Sequence, residues 1–503
     1  MLRKILIANR GEIAVRVIRA AREAGIASIA VYSDCDRTAR HVRMADEAWP
    51  LGGNRPAESY LRIDQLIDVA RRSGADAVHP GYGFLAENAE FALACRHAGL
   101  TFIGPTPEAI AVMGSKTAAR AAAAAAGVAA VPGTTMPLPT DAPDSDVLTI
   151  AAQIGYPLML KAVAGGGGKG MRTVTSPAEV PSALRAARSE ALSAFGDGAV
   201  YMERRLDRPR HIEVQLLGDV HGAVVPFVER ECSIQRRHQK LLEESPSPAV
   251  SPGLRAALGE AARKIAASVG YTNAGTIEFL LDADGRFYFL EMNTRLQVEH
   301  PITEAVTGVD LVQWQFRLAR GEHLTLDEQT ATVPRGHAIE CRIYAEDPDA
   351  GFLPSPGRLT RLRPPSGPGV RDDGGYDAPG AVPIHYDSLV SKLITWGAAR
   401  PEAIARMRRA LAEYEIAGVK TTIPFFAWLL DDEDFLASCV DTTFLDRALA
   451  QRNGSPFGSP GPGIEDLAAI GVALDVYYAP PEIPARRGVD SPWTRAARAE
   501  ARR

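Results

Sequence analysis

Cysteine and long apolar runs are scarce in this chain of 503 residues. The five cysteines are scattered without a C-x-x-C spacing, which argues against a disulfide scaffold or a zinc site and is typical of a reducing compartment. No segment approaches the roughly 20 apolar residues of a membrane span. The apolar run at residues 5–8 is too short for the core of a signal peptide. We therefore expect a cytoplasmic protein that does not enter a membrane.

Charge of either sign is not in large excess. The formal net charge is −5 and the pI is about 6.1, which gives no electrostatic argument for binding nucleic acid. Lysine is rare, since only eight of the 56 basic residues are lysine, and each lysine is therefore a better candidate for a point charge in a site. We predict that four of them are ordinary surface or helix-end lysines: Lys4, Lys264, Lys392 and Lys420.

The first 115 residues alternate short apolar strands with helical patterns, as in KILIAN followed by EIAVRVIRAAREAG. This rhythm predicts a parallel sheet with helices on both faces. The turn ANRGEIA has a single glycine, so no dinucleotide site is inferred there. An alanine-rich helix around residues 117–126 leads into VPGTTMPLPTDAPDSD, whose composition predicts a loop or hinge and a new unit from about residue 130.

The stretch YPLMLKAVAGGGGKGMRTV predicts two strands joined by a glycine-rich turn. Gly165, Gly167 and Gly170 match G-x-G-x-x-G, but strand-like residues follow where a dinucleotide site needs a helix. Lys169 precedes Gly170 rather than Ser or Thr, which excludes a P-loop. We predict a hairpin whose amides close over phosphates as a lid; a mobile surface hairpin without a ligand is the alternative.

The stretch TIEFLLDADGRFYFLEMN, residues 276–293, predicts a β-hairpin around an Asp284-Gly285 turn. A two-residue turn would pair Leu281 with Tyr288, Phe279 with Leu290 and Glu278 with Glu291. The strand period of two then predicts one apolar face, formed by Ile277, Phe279, Leu281, Tyr288, Leu290 and Met292.

Glu278 and Glu291 would face each other in that hairpin. Opposed strand residues have Cβ atoms roughly 5 Å apart, where like charges repel by on the order of 3 kcal/mol at an effective dielectric constant near 20. Three explanations remain open: solvation at a frayed edge, protonation of one carboxyl, or a bound cation. With the amide oxygen of Asn293, the two carboxylates would suit Mg²⁺ or Mn²⁺ completed by water and phosphate.

A second charged stretch, ERECSIQRRHQK at residues 229–240, holds Arg236, Arg237, His238 and Lys240 within five residues. Such a cluster is either a solvated face or an anion site, and the sequence alone leaves both open.

Five motifs occur together in one order: HPGYGFLAEN (79–88), GGGGKGMR (165–172), ERECSIQRRHQK, EMNTRLQVEHPITE (291–304) and FLPSPG (352–357). In this combination, from residue 1 to about 447, the chain resembles biotin carboxylases of the ATP-grasp superfamily. The resemblance implies a mixed α/β protein with an ATP-grasp fold. The implied domains are an N-terminal parallel-sheet (pre-ATP-grasp) domain at 1–115, an ATP-grasp domain at 116–330 with its lid at about 131–204, a C-terminal biotin carboxylase domain at 331–447, and a linker and extension of unknown role at 448–503.

The resemblance also implies a reaction. ATP and bicarbonate form carboxyphosphate, and biotin on a separate carrier protein is carboxylated, as in the first half-reaction of an acetyl-CoA or acyl-CoA carboxylase. The alternatives are the biotin carboxylase subunit of a pyruvate carboxylase, another ATP-grasp ligase, and a non-catalytic nucleotide-binding regulatory subunit. The implied partners are a biotin carboxyl carrier protein, a second copy of the chain, and a carboxyltransferase subunit.

Residue roles follow from the same resemblance. ATP would be bound by Lys116, Lys161, Gly166, Gly167, Glu203, Leu206, His211, Gln235, His238, Glu278 and Glu291. The metal, Mg²⁺ or Mn²⁺, would be held by Glu278, Glu291 and Asn293. Bicarbonate would be bound by Lys240, Arg295, Gln297 and Val298. Biotin would be contacted by Tyr82 and Arg342. The catalytic residues would be Glu299, Arg342, Lys240 and Arg295.

Glu299 is implied as the general base. A carboxylate among cations has a lowered pKa, so we expect it to act through placement beside the bicarbonate hydroxyl rather than through strong basicity. Arg342 would stabilise the biotin enolate, with a structural ion pair as its alternative role.

No lysine lies between two methionines, so biotin is expected on another chain. Beyond residue 447, IEDLAAIGVALDVYY predicts a short amphipathic helix. We hypothesise that this helix and Trp493 dock a transferase or carrier partner; a partly disordered end is the alternative.

Overall fold

A computed structural model describes residues 2–140, 142–163, 171–458 and 463–478. The chain divides into two compact units, Met1–Ser455 and Pro456–Arg503. Among the described residues, no helix has the length and apolarity that crossing a membrane requires.

The N-terminal segment confirms the predicted parallel sheet. Its elements are β1 (Lys4–Ile7), α1 (Gly11–Glu23), β2 (Ala27–Tyr32), α2 (Arg40–Met44), β3 (Glu47–Pro50), α3 (Ile63–Ser73), β4 (Ala77–His79), α4 (Ala89–His97), β5 (Thr101–Phe102), α5 (Pro107–Gly114) and α6 (Lys116–Ala125). The strand order is β3-β2-β1-β4-β5, with every pair parallel. Alternating residues serve opposite faces: Ile5 and Ile7 pack with α1, whereas Leu6 packs with Leu66 of α3 and Phe91 of α4.

A segment with its own small sheet follows. Its elements are α7 (Asp144–Ile154), β6 (Leu158–Ala162), β7 (Arg172–Val174), α8 (Val180–Phe195) and β8 (Val200–Arg204). The three strands form a sheet in the order β7-β6-β8. β6 and β7 pair antiparallel, which confirms the two predicted strands. The glycine-rich turn between them, with Gly166 and Gly167, lies outside the described residues.

The central elements are β9 (Arg210–Gly218), β10 (Val224–Pro226), β11 (Arg230–Arg236), β12 (Gln239–Ser245), α9 (Pro252–Ser268), β13 (Asn273–Leu281), β14 (Phe287–Asn293), α10 (His300–Thr307), α11 (Leu311–Ala319) and α12 (Glu328–Thr332).

The C-terminal elements of the first unit are β15 (His337–Tyr344), β16 (Glu346–Asp347), β17 (Leu353–Pro354), β18 (Gly357–Leu359), β19 (Arg361–Arg363), β20 (Val370–Gly374), β21 (Gly380–Val382), β22 (Leu389–Gly397), α13 (Arg400–Glu413), β23 (Glu415–Ala417), α14 (Ile423–Leu429), α15 (Glu433–Leu436) and α16 (Phe444–Gln451). The second unit contains α17 (Ile464–Tyr478), which confirms the predicted helix. Its described apolar side chains are exposed, including Leu467 and Leu474. Trp493 lies outside the described residues.

One antiparallel sheet joins the central and C-terminal segments. Its strand order is β14-β13-β9-β11-β12-β15-β22-β20, with β10 paired to β9. One face of β9, β13 and β14 covers an apolar core that includes Ile212, Ile277 and Phe279. The alternating residues on the other face are therefore free to form a polar site.

The hairpin of β13 and β14 differs in part from its prediction. Glu278 pairs with Glu291 as predicted, but Phe279 pairs with Phe289 and Leu281 with Phe287, so the pairs predicted near the turn are wrong. The Asp282 N–H donates to the Arg286 carbonyl oxygen at 2.8 Å, which leaves a loop of three residues, 283–285. Gly285 ends this loop with a φ of 77°, in the left-handed region that favours glycine. A β-bulge between the Glu278 and Phe279 pairs then restores the predicted register.

Because of the bulge, the apolar face differs from its prediction: it includes Phe289 and lacks Tyr288 and Leu290. Phe289 is fully buried in the core with Ile277, Phe279 and Leu281. Leu290 is the extra residue of the bulge and lines the cavity described below instead. Tyr288 likewise lies away from that core, among the residues of a neighbouring depression.

Candidate active site

A cavity of about 650 Å³ lies on the polar face of the central sheet. It brings together almost all of the residues that the sequence predicted for the site. Those that line it are Lys116, Lys161, Glu203, Leu206, His211, Gln235, His238, Lys240, Glu278, Glu291, Asn293, Arg295, Gln297, Val298, Glu299 and Arg342.

Three carboxylates form a row across adjacent strands, and two of them, Glu278 and Glu291, line the cavity. Glu213 of β9 pairs with Glu278 of β13, which pairs with Glu291 of β14. Glu213 and Glu278 are buried. A row of three like charges in such surroundings requires cations nearby, because an unpaired buried charge is strongly destabilising.

Lys240 supplies the central cation of the row. Its Nζ donates to Glu213 Oε2 at 2.6 Å, to Glu278 Oε1 at 2.8 Å and to Glu299 Oε1 at 2.8 Å. Burial lowers the pKa of this ammonium, but Glu213, Glu278 and Glu299 outweigh burial and raise it well above its usual value. Lys240 therefore stays charged and ties the carboxylate row to Glu299.

Glu278 and Glu291 respond differently to the same surroundings. Burial raises the pKa of Glu278, but Lys240 and His211 outweigh it and hold the pKa well below its usual range. His211 approaches Glu278 Oε2 through Nε2 at 2.8 Å. The pKa of Glu291 is raised by burial and by the charge of Glu278. The charge of Lys116 opposes this rise only in part, and within the described residues Glu291 has no ion pair.

Glu299 lies between two cations. Its Oε1 accepts from Lys240, and its Oε2 accepts from Arg342 NH2 at 3.0 Å. Burial raises the pKa of Glu299, but Lys240, Arg342 and Arg230 lower it well below the ordinary value. This confirms the expectation of a lowered pKa for the carboxylate proposed as base.

Arg342 has a second carboxylate partner. Its Nε donates to Glu243 Oε1 at 2.7 Å, and the guanidinium is buried. Burial raises the pKa of Glu243 while Arg342 lowers it, with a net rise. The guanidinium is thereby fixed at the cavity wall by two carboxylates from different elements.

Arg295 is held by residues from two parts of the chain. Its Nε donates to Glu87 Oε2 at 2.7 Å, and its NH1 donates to Gln297 Oε1 at 2.6 Å. Its NH2 donates to Asn293 Oδ1 at 3.1 Å, while Asn293 Nδ2 donates to Glu278 Oε1 at 2.7 Å. Asn293, Arg295 and Gln297 therefore present their side chains to the cavity as one hydrogen-bonded set.

Another part of the cavity wall is basic. Lys116 begins α6 and Lys161 lies on β6 of the small sheet. Burial, together with the nearby charge of Lys161, lowers the pKa of Lys116, although Glu291 opposes that shift. Glu203 on β8 is buried in an ion pair with Lys161 and accepts from Arg120 NH1 at 3.3 Å.

His211 and Gln235 form a linked pair beside these groups, with Gln235 Nε2 at 2.6 Å from His211 Nδ1. Burial lowers the pKa of His211, but Glu278 outweighs burial and raises it. His238 lies in the two-residue turn between β11 and β12, where it and Arg237 have positive φ. Of the cationic residues in the stretch 229–240, Arg237, His238 and Lys240 therefore line the cavity.

Tyr82 lies outside the lining of this cavity, and its hydroxyl is buried. Its ring lies 5.7 Å from Lys392 Nζ. Lys392 itself is fully buried, so its prediction as a surface or helix-end lysine is wrong. The strand β22 that carries Lys392 is covered on both faces, and a lysine there has to be paired.

Sequence reasoning missed the residues that hold the site residues in place: Glu87, Arg120, Glu213, Arg230 and Glu243. Arg230 is fully buried and donates to Glu213 Oε1 at 2.6 Å and to Thr303 Oγ1 at 2.9 Å. Glu213 could have been found from the alternation in HIEVQLL, which places it on the same strand face as His211. The others are distant in sequence from their partners and have no local signal.

Three family models match the chain. They are "Biotin carboxylase, N-terminal domain" at residues 1–110, "Carbamoyl-phosphate synthase L chain, ATP binding domain" at 115–327, and "Biotin carboxylase C-terminal domain" at 340–447. The carboxylate hairpin and the Lys240 cluster both lie within the ATP-binding match. The fold and the site thus define an enzyme of the ATP-grasp class.

Relatives with known names share most of the chain. A biotin carboxylase of Nostoc sp. is 54% identical over 442 residues, which are 88% of this chain and 98% of that protein. A pyruvate carboxylase subunit of Methanothermobacter thermautotrophicus is 53% identical over 446 residues, which are 89% of this chain and 90% of that protein.

Solved structures agree. The biotin carboxylase domain dimer of Hydrogenobacter thermophilus 2-oxoglutarate carboxylase, in complex with MgADP, ADP and bicarbonate, is 45% identical with a TM-score of 0.87. The match covers 92% of this chain and 99% of the H. thermophilus chain. The chain belongs to the biotin carboxylase family. This confirms the predicted fold class and the predicted activity, ATP-dependent carboxylation of biotin.

Proposed function

We propose that the chain carboxylates biotin attached to a separate carrier protein, using ATP and bicarbonate bound in the cavity described above. The observation that carries this proposal is the position of Glu299 between Lys240 and Arg342 in the cavity lining. A carboxylate clamped by two cations can accept a proton from a small anion that those cations also attract.

The basic part of the cavity would take the nucleotide. Lys116 and Lys161 would neutralise the phosphates, and Gly166 and Gly167 of the glycine-rich stretch would close over them. Glu203 is already paired with Lys161 and Arg120, so its carboxylate would fix the lysine as well as border the adenine. Leu206, His211, Gln235 and His238 would complete the nucleotide site.

A divalent cation fits the carboxylate hairpin. Glu291 has a raised pKa and no ion pair among the described residues, so a cation would relieve its repulsion from Glu278. Asn293 would add an amide oxygen, which now accepts from Arg295. When bound, Mg²⁺ or Mn²⁺ supplies charge neutralisation at the transferring phosphate. The H. thermophilus relative contains MgADP, which supports Mg²⁺.

Bicarbonate would be held by Lys240, Arg295, Gln297 and the backbone of Val298. Glu299 would take the proton from the bicarbonate hydroxyl as its oxygen attacks the γ-phosphorus of ATP, with ADP as the leaving group. The carboxyphosphate so formed would break at its C–O bond to give carbon dioxide and phosphate. The phosphate released from carboxyphosphate would accept the proton of the ureido N–H. Arg342 would stabilise the negative oxygen of the resulting enolate while the ureido nitrogen attacks carbon dioxide.

The proposed partners follow from the same reaction. Biotin would arrive on a carrier protein, and a carboxyltransferase would then move the carboxyl group from biotin to the final acceptor. Homodimer formation is proposed because the H. thermophilus relative is a dimer. We also propose that the chain works in the cytoplasm, where its five free cysteines would stay reduced.

A second candidate differs only in the final acceptor. The 53% identity to part of a pyruvate carboxylase supports a keto acid as acceptor as directly as the Nostoc biotin carboxylase supports an acyl-CoA. The carboxyltransferase would make that choice, and the half-reaction in this chain would be the same.

The test is phosphate release by the purified chain with Mg-ATP, with and without bicarbonate and free biotin. The proposal expects release that requires both, and loss of that release in Arg342→Ala. If the rate of phosphate release without biotin equalled the rate with free biotin and the rate with carrier-bound biotin, the proposal would be contradicted.

A further inference from the structure

A buried lysine lies directly behind the segment that carries the proposed base. Lys392 on β22 is fully buried, and its Nζ donates to the backbone oxygen of Val298 at 3.0 Å. That oxygen belongs to the peptide group joining Val298 to Glu299. The hydrogen bond therefore restrains the backbone from which the Glu299 side chain extends into the cavity.

Lys392 itself has neighbours on three other elements. Glu12 on α1 lies 3.2 Å from its Nζ, and Asp373 on β20 is its cross-strand neighbour. On the other side, Arg342 of β15 is its cross-strand partner. Lys392 thus connects the helix α1, the sheet strand that carries Arg342, and the segment that carries Glu299.

The contact has a direct bearing on catalytic geometry. Glu299 Oε2 and Arg342 NH2 are 3.0 Å apart. Lys392 donates to the residue before Glu299, and Arg342 is the cross-strand partner of Lys392. A charged donor to a carbonyl is among the stronger hydrogen bonds, and removing it leaves a buried carbonyl unsatisfied. A shift of the Val298–Glu299 peptide would move the carboxylate relative to both cations and to bound bicarbonate.

We propose that Lys392 is a positioning residue for the carboxylation reaction, holding the Val298–Glu299 peptide so that the Glu299 carboxylate meets bicarbonate in reactive geometry. This inference rests on the proposed function, since it assigns Glu299 as the base. Lys392 does not touch the reacting atoms itself. Its Nζ also lies 5.7 Å from the ring of Tyr82, the residue that the resemblance implies as a biotin contact.

The experiment compares the full-length variants Lys392→Met, Lys392→Arg and Lys4→Met with wild type. Lys4 is the matched control, because its Nζ also donates to a backbone oxygen, that of Ser73 at 2.6 Å, and to a carboxylate, that of Glu47 at 2.6 Å. Neither partner lines the cavity. For each variant, kcat, the KM for bicarbonate, the Kd for ATP and the thermal midpoint are measured.

The proposal expects Lys392→Met to lower kcat by about 10- to 100-fold, as for a small misplacement of a catalytic group. The Kd for ATP stays at the wild-type value, and Lys392→Arg, which keeps a charged donor, recovers much of the rate. Lys4→Met lowers the thermal midpoint and leaves kcat unchanged. Wild-type kcat in Lys392→Met, or equal losses of kcat and ATP affinity in both Lys392 variants, would overturn the inference.

Should Lys392→Met not fold, Lys392→Gln replaces it. Glutamine is one atom shorter and does not reach the Val298 oxygen, so its kcat should fall below that of Lys392→Arg; equal values would overturn the inference. The proposed function is judged separately on the wild type. An inactive wild type would overturn both proposals, whereas an active wild type with an indifferent Lys392→Met would overturn this one alone.

Discussion

Replacing Lys240 by methionine removes the cation that joins three buried carboxylates while keeping most of the unbranched stem of the side chain. Lys240 donates to Glu213, Glu278 and Glu299 at 2.6, 2.8 and 2.8 Å. Removing one partner of a buried ion pair costs about 3–5 kcal/mol. Each carboxylate keeps another cationic or histidine partner, namely Arg230, His211 and Arg342. The expected loss of unfolding free energy at pH 8 is therefore about 3 kcal/mol, the lower end of that range.

The loss of unfolding free energy in Lys240→Met should become smaller as the pH is lowered. Lys240 lowers the pKa of Glu278 and Glu299, so the stability it contributes is present above the ordinary carboxylate pKa and is lost as the pH falls through the lowered values. Without Lys240, these carboxylates take up protons at a higher pH, and the wild type loses its advantage in acid.

Urea unfolding followed by circular dichroism at pH 8 and pH 3 measures the difference. Lys264→Met is the control, because Lys264 is 56% exposed and lies 3.7 Å from Glu260; its loss should be below about 0.5 kcal/mol. If Lys240→Met were as stable as the Lys264 variant at pH 8, the cation would not be holding the carboxylates together.

Three further predictions address the base, a buried carboxyl and the second unit. Glu299→Gln should lower bicarbonate-dependent phosphate release by about 100-fold or more while the Kd for ATP, measured by calorimetry, stays unchanged; lost ATP binding would contradict this division of roles. Burial raises the pKa of Asp372 from 3.8 to about 6, so the stability from its protonated form is present below pH 3.8 and lost as the pH rises through 6. Asp372→Asn should then exceed wild type in unfolding free energy by on the order of 3 kcal/mol at pH 8 and match it at pH 3, and equal stability in urea titrations at pH 8 would contradict the shift. Truncation after Ser455 should leave turnover with free biotin intact but weaken binding to the carboxyltransferase in size-exclusion chromatography; unchanged assembly would contradict the docking hypothesis.

The part of the site that could be predicted from the sequence is the part in which a local pattern places the functional residues. The pairing of Glu278 with Glu291 follows from the strand period and a short turn, and the structure has it. The sequence DADG fits either a two- or a three-residue loop, and the bulge at Leu290 compensates for the longer one. A bulge has no sequence signature of its own here, so the strand period alone misassigns the residues near the turn.

The supporting residues are harder to predict because their partners are remote. Glu87 lies 208 residues from Arg295, and Lys392 lies 94 residues from Val298. Such contacts arise from the way in which the N-terminal helix, the central sheet and β22 pack together, which no local pattern encodes. Lys392 still carries a signal, since LVSKLITWG places a single lysine in an otherwise largely apolar strand.

The central claim, activation of bicarbonate by ATP, is tested most directly with bicarbonate labelled with ¹⁸O. In the proposed reaction, a bicarbonate oxygen attacks the γ-phosphorus and remains on phosphorus when the C–O bond of carboxyphosphate breaks. Mass spectrometry of the phosphate released in the presence of biotin should therefore find one ¹⁸O atom per molecule. Phosphate without label would show that water, and not bicarbonate, attacks ATP, and would contradict the account.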